Sequence, residues 1–188
     1  MHFMPKDELE VMFGVAFGAR TAMMTFHPAA LDEAPAAEMF EELLAAIDAM
    51  HECHFIFTGT NNDIGSDKVR ELMAAFVAAH PDRVTYVESF GQQGYLSAMH
   101  HVDLVVGNSS STVLEAPLLG TPAVLVGNRQ EGRPLSASVI KASADRAELL
   151  QAMRRGISAE FAAETEGQGT PFGPVSYTHL RAHETLMN

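Results

Sequence analysis

Residues 105–133 read VVGNSSSTVLEAPLLGTPAVLVGNRQEGR, and this stretch constrains the fold more than any other. The valine-rich segment Val102 to Val106 predicts a buried strand, and Gly107-Asn108-Ser109-Ser110 a turn of small residues. From Ser111 to about Leu119 the pattern predicts a helix, which Gly120-Thr121-Pro122 stops before a second strand at Ala123 to Val126. Strand, small loop, helix and strand in that order form the repeating unit of a parallel α/β sheet. A helix starting behind a strand's carboxyl end aims unpaired N–H groups and the positive end of its dipole at the turn, so an anion is favoured there. Three serines at the turn add hydroxyl donors without bulk.

The same alternation runs through the rest of the chain. Pro5 and Asp7 open a short helical pattern that Gly14 closes, and Arg20 to Phe26 predicts a strand that delivers His27 to a loop, since Pro28 biases His27 away from helix. Apolar residues at helical spacing from Pro35 to Met50 predict a surface helix, followed by a strand at His54 to Thr58 and the turn-rich segment 59–65. Ser66 caps a helix that His80-Pro81 ends, Arg83 to Glu88 is a third strand, and Ser89 to Ala98 a loop with a short helix. Beyond the opening stretch, Ser136 to Ile140 reads as a connection and Asp145 to Ile157 as a helix capped by Asp145. The expected order is β-α-β-α-β-α-β-α-β-α. Strands buried on both faces and alternating with helices predict an α/β fold, a Rossmann-like doubly wound parallel sheet, with ligands held at the strands' carboxyl ends. His27 and the segments 59–65, 89–95, 107–111 and 127–133 all fall at that edge.

Length and charge bound the function. With 188 residues, 47% hydrophobic and 19% charged, the chain suits one globular domain. A net charge of −12 argues against a nucleic-acid surface, so an anionic ligand must be held by local donors. One cysteine, Cys53, excludes an internal disulfide, and no basic-then-apolar leader or membrane-length apolar run is present, so a soluble, cytoplasmic protein without a membrane partner is expected.

Each candidate residue has a plain reading beside the functional one. Ser109, Ser110 and Ser111 cap a helix or contact a phosphate; the turn has neither GxxxxGK[ST] nor GxGxxG. Glu115 either completes a capping box with Thr112 or accepts hydrogen bonds from two ribose hydroxyls. Arg129, Gln130 and Arg133 either solvate a loop or face the serine turn and neutralise a pyrophosphate. His27 is a turn histidine, or else a phosphate ligand and proton donor. His51-Glu52-Cys53-His54 spans an expected helix-to-strand junction where side chains diverge, so no metal site is expected.

Together the motifs TFHP (Thr25 to Pro28), FTGTNND (Phe57 to Asp63), SFGQQGYLSAM (Ser89 to Met99), GNSSSTVLEAP (Gly107 to Pro117) and GTPAVLVGNRQEGR (Gly120 to Arg133) resemble the C-terminal half of the hydrolysing UDP-N-acetylglucosamine 2-epimerases of the bacterial sialic-acid-pathway type. The resemblance covers residues 3–141, and the Gly-Asn-Ser-Ser run separates this branch from the non-hydrolysing epimerases, whose turn usually reads Asp-Ser-Gly-Gly. It implies the C-terminal, UDP-binding half of a two-domain glycosyltransferase-B architecture, with catalytic carboxylates in an N-terminal domain that this chain lacks. By position, Ser109 and Ser110 match phosphate-contacting serines, Glu115 the ribose glutamate, Arg129 a phosphate arginine, Ser89 with Phe90 the uracil segment, and His27 the diphosphate histidine. The expected catalytic groups are therefore His27 and Arg129. The expected UDP contacts are Ser89, Phe90, Asn108, Ser109, Ser110, Glu115 and Arg133, with no cofactor and a homo-oligomeric full-length enzyme. Thr112 and Asn128 depart from the family's frequent Gly and Asp. A UDP-sugar glycosyltransferase domain and a non-catalytic UDP-sugar-binding module are the alternatives.

Val175 to Thr185, VSYTHLRAHET, resembles the translation of a transposon-library sequencing adapter. The expected domain therefore spans residues 1–174, and residues 175–188 are set aside as a non-native tail.

Overall fold

A computed structural model describes residues 2–28, 35–61, 66–167 and 171. The expected tail at 175–188 and part of the 59–65 segment lie outside the described residues. The chain folds as α1 (Lys6–Phe13), β1 (Thr21–Thr25), α2 (Ala36–Asp48), β2 (His54–Thr58), α3 (Ser66–Ala79), β3 (Val84–Val87), α4 (Gly91–His101), β4 (Leu104–Gly107), a 3₁₀ turn (Ser110–Thr112), α5 (Glu115–Leu118), β5 (Ala123–Val126), β6 (Val139–Ala142), α6 (Arg146–Gly156) and α7 (Ala159–Thr165). The six strands are all parallel and lie in the order β3-β2-β1-β4-β5-β6. This is the expected doubly wound sheet, and its direction of growth reverses between β1 and β4.

Strand parity divides the core. Met24, Phe57, Val106 and Val126 face α2, α3 and α6 in the larger cluster. Met23, Ile56, Val105 and Leu125 face α1, α4 and the 3₁₀–α5 segment in the smaller one. Successive strand residues point to opposite faces, so strands covered on both sides read as continuous apolar runs.

Most elements follow their local chemistry. Gly14 ends α1 at φ 65°, a left-handed stop that costs glycine nothing. Asp145 accepts from the Glu148 N–H and caps α6.

Three expectations need correction. The helix expected over Ser111 to Leu119 is a 3₁₀ turn followed by the four-residue α5. Pro117 explains the break, because it has no N–H to offer the Val113 carbonyl and its ring crowds that group. The strand expected from Val102 begins at Leu104, since α4 runs on to His101 and Val102 caps it through the Ala98 carbonyl. The connection expected over Ser136 to Ile140 instead enters a sixth strand, β6, at the sheet edge. Its Lys141 is exposed, so four residues with one charge gave no strand signal. The helix α7, capped by Ser158, was also not expected.

Candidate functional site

The reversal between β1 and β4 places two loops side by side at the strands' carboxyl ends. Thr25 is paired with Gly107, and the Asn108 N–H donates to the Thr25 carbonyl over 3.3 Å. Only glycine fits at 107: φ is 148°, and a Cβ would stand 1.9 Å from the Thr25 oxygen. The chain therefore leaves β4 pressed against β1, and the next residue reaches across.

Asn108 is fully buried and clamps the neighbouring loop. Its Oδ1 accepts from the His27 N–H over 2.8 Å, and its Nδ2 donates to the His27 carbonyl over 2.7 Å. The expected ligand contact thus has its carboxamide engaged in positioning His27. His27 Nδ1 accepts from the Asn61 N–H over 3.1 Å, which places the proton of a neutral ring on Nε2, the form that donates from that atom.

The serine turn follows. Ser109 Oγ caps the 3₁₀ turn by accepting from the Ser111 N–H. Ser110 is partly exposed and Ser111 buried. The capping-box reading of Thr112 and Glu115 is not met, because Thr112 lies inside the 3₁₀ turn and α5 starts at Glu115, its N-cap position Leu114 offering no side-chain cap. Glu115 begins α5 near Tyr95, whose phenol its charge helps hold in the protonated form.

From the next loop, Arg129 Nη1 donates to the Asn108 carbonyl over 3.3 Å and the buried Gln130 Nε2 donates to the same oxygen over 3.0 Å. A guanidinium carries five N–H donors, and this contact uses one. Arg133 is exposed. Ser89 is also exposed, its Oγ accepting from the Gly91 N–H, while the Phe90 ring is buried 4.7 Å from that of Phe13. Phe90 is thus a core residue just before α4, and the expected uracil segment Ser89-Phe90 exposes Ser89 alone.

The structure brings His27, Asn108, Ser109, Ser110, Glu115 and Arg129 to the β1–β4 junction, with Ser89 and Phe90 at the start of α4. Residues not expected there are Thr25, Thr58 and Tyr95, whose hydroxyls meet beneath the turn. Their signal was a polar residue at the last position of a strand, or an aromatic hydroxyl in a helix that otherwise reads as packing. At the opposite edge the His51-Glu52-Cys53-His54 run diverges, with Cys53 buried and His51 and Glu52 exposed. Among the described residues no group of three or more His, Cys, Asp or Glu could hold a metal ion, and no helix is long and apolar enough to cross a membrane. The chemistry on offer is anion binding by hydroxyls and a guanidinium, with an imidazole alongside.

A family model described as UDP-N-acetylglucosamine 2-epimerase matches residues 6–176. The polysialic acid biosynthesis protein P7 of Escherichia coli is 30% identical over 173 residues, 92% of this chain and 44% of that protein. The GDP/UDP-N,N'-diacetylbacillosamine 2-epimerase (hydrolyzing) of Campylobacter jejuni is 28% identical over 161 residues, 86% and 41% of the two chains. The solved UDP-GlcNAc 2-epimerase of Neisseria meningitidis bound to UDP-GlcNAc shares the fold, with a TM-score of 0.70 and 14% identity over 97% of this chain and 49% of that one. The chain spans less than half the length of the relatives it matches.

Proposed function

Because the chain belongs to the UDP-N-acetylglucosamine 2-epimerase family, we propose that residues 1–174 are the UDP-holding half of a hydrolysing 2-epimerase, which converts UDP-N-acetylglucosamine and water to N-acetylmannosamine and UDP. The observation that supports this reading is the β1–β4 junction, where Asn108 holds His27 through its carboxamide and Arg129 through its carbonyl, one residue before the serine turn.

In this reading the C1–O bond of the sugar breaks with its electron pair going to the β-phosphate, and a base outside this chain removes the C2 proton. The resulting 2-acetamidoglucal then takes up water. Charge grows on the β-phosphate as the bond breaks, so Ser109, Ser110 and Arg129 stabilise the transition state more than the ground state. His27 Nε2–H protonates or hydrogen-bonds the departing oxygen. Glu115 accepts from the ribose hydroxyls, Arg133 closes on the phosphates, and the Ser89-Phe90 backbone lies along uracil. A second substrate is a UDP-linked diacetamido sugar, favoured by the 28% identity to a diacetylbacillosamine epimerase.

Calorimetry tests the binding half of the claim. UDP should bind weakly, but more tightly than UMP or GDP, and Ser110→Ala or Arg129→Ala should weaken it roughly tenfold, as expected for a charge-assisted hydrogen bond. Equal binding of the three nucleotides sinks the assignment. Product analysis tests the chemistry: the longer gene product should release free N-acetylmannosamine or its diacetamido analogue with UDP, and residues 1–174 alone should release neither. Transfer of the sugar to an acceptor would instead identify a glycosyltransferase.

A further inference from the structure

The hydroxyl groups beneath the turn form a continuous chain. Thr58 Oγ1 lies 2.7 Å from Thr25 Oγ1, which lies 3.2 Å from the Tyr95 hydroxyl. The Tyr95 hydroxyl is 2.7 Å from Ser111 Oγ, which donates to Ser109 Oγ over 3.0 Å.

Each hydroxyl has one hydrogen, and that fixes the direction of the chain. Ser111 has given its hydrogen to Ser109, so Tyr95 is the donor to Ser111. Tyr95 has then spent its own, so Thr25 donates to Tyr95. Thr58 in turn donates to Thr25, a closer partner than the Met24 carbonyl at 3.4 Å. Ser109 stands at the end. Its Oγ accepts from both the Ser111 hydroxyl and the Ser111 N–H, and among the described residues nothing accepts its own hydrogen.

We propose that Thr58, Thr25 and Tyr95 form a positioning chain that polarises Ser109 and reserves its O–H for an anionic oxygen of the nucleotide diphosphate, with Tyr95 as the link on which the chain depends. Hydrogen bonds in series strengthen one another, so a donor at the end of such a chain is better than an isolated hydroxyl. Burial pushes the Tyr95 phenol up, the bonds to Ser111 and Thr25 oppose this, and the Glu115 charge adds to the rise. Tyr95 therefore keeps its proton at neutral pH, as a donor must. None of the three residues needs to touch the ligand. The inference rests on the UDP reading above and adds the residues that orient its serine.

A double-mutant cycle on the 188-residue chain tests it, with UDP measured by calorimetry and uridine by displacement. Tyr95→Phe keeps the ring and removes the link. It should weaken UDP about five- to tenfold, within the range for one hydrogen bond between neutral groups, and leave uridine unchanged. Ser109→Ala should cost a similar factor, and the double variant should bind no worse than Ser109→Ala alone. Thr25→Val should show a smaller loss of the same kind, and it carries the test if thermal melting shows Tyr95→Phe to be unfolded. The inference is overturned if the folded variants bind UDP like wild type, lose uridine in proportion, or lose affinity multiplicatively with Ser109→Ala. Wild type failing to bind UDP overturns the site reading and this inference together, whereas wild-type affinity retained in both variants overturns the inference alone.

Discussion

On one face of the sheet, Phe55, Phe57, Met24 and Val106 pack under the long helices α2, α3 and α6. On the other, Met23, Ile56 and Val105 meet α1, α4 and a 3₁₀ turn with one turn of helix behind it, and at the strands' carboxyl ends this face turns polar. Thr25 and Thr58 share the strand parity of Met23 and Ile56, so the hydroxyl chain lies on the second face. The first face is filled with shapes that only pack, while the second carries groups that must each find a hydrogen-bond partner. The difference separates the residues that hold the sheet together from those that shape the candidate site.

The largest effect should come from breaking the apolar face. Phe57 is fully buried between Phe55 and Phe76, with centroids at 6.4 and 5.8 Å. Phe57→Ala should cost about 3–5 kcal/mol in urea unfolding, and the protein that remains folded should keep wild-type affinity for UDP. A loss of affinity in the folded fraction would mean that the two faces are not separable.

Gly107→Ala attacks the seam between the faces. The added Cβ meets the Thr25 carbonyl and the residue is held at φ 148°, so the penalty is strain rather than a cavity. About 2 kcal/mol or more of stability should be lost, together with UDP binding, because the turn cannot leave β4 on its present path. A variant as stable as wild type would show that β1 and β4 can move apart there.

Asn108→Ala acts in the loop beyond the end of β4. It removes both bonds to His27 and leaves a backbone N–H and carbonyl without their partner. Roughly 1–3 kcal/mol is the usual range for such a loss, with a fall in UDP affinity that exceeds the effect of Phe57→Ala on the folded protein. If affinity survives, the clamp on His27 is structural only.

The same division explains what could be read from the sequence. The long helices of the apolar face showed their 3.6-residue period, so α2, α3 and α6 were expected close to where they lie, and β2 and β5 with their limits. On the polar face, Ser111 to Leu119 kept a helix-like composition, but Pro117 cannot donate a hydrogen bond, and local pattern did not reveal that the turn would tighten to 3₁₀. That His27, Asn108 and Arg129 would gather at the strand ends was legible, because it follows from parallel topology. The partners inside it were not. Asn108 joins His27 across 81 residues and Tyr95 joins Thr25 across 70, contacts that exist only once β1 and β4 are neighbours. β6 was missed because an edge strand of four residues need bury only part of its length.

The smallest effect is expected at Cys53, at the amino end of β2 and on the apolar face. Burial, with the Asp103 and Glu52 charges behind it, pushes its thiol from 9.0 to about 12. Below about pH 8 the thiol is protonated both folded and unfolded, so it contributes no pH dependence. As pH climbs through 9.0 the unfolded chain ionises while the folded one holds its proton until about 12, and wild type loses stability across that window. Subtracting Cys53→Ala cancels the titration of tyrosines and lysines common to both chains. The stability difference between wild type and Cys53→Ala should be flat from pH 7 to 8 and decline from pH 9 upward, read as urea midpoints. A flat difference throughout would mean that water reaches the thiol and that the apolar face is open at its amino edge; a decline would show that this face stays dry where the other is hydrogen-bonded.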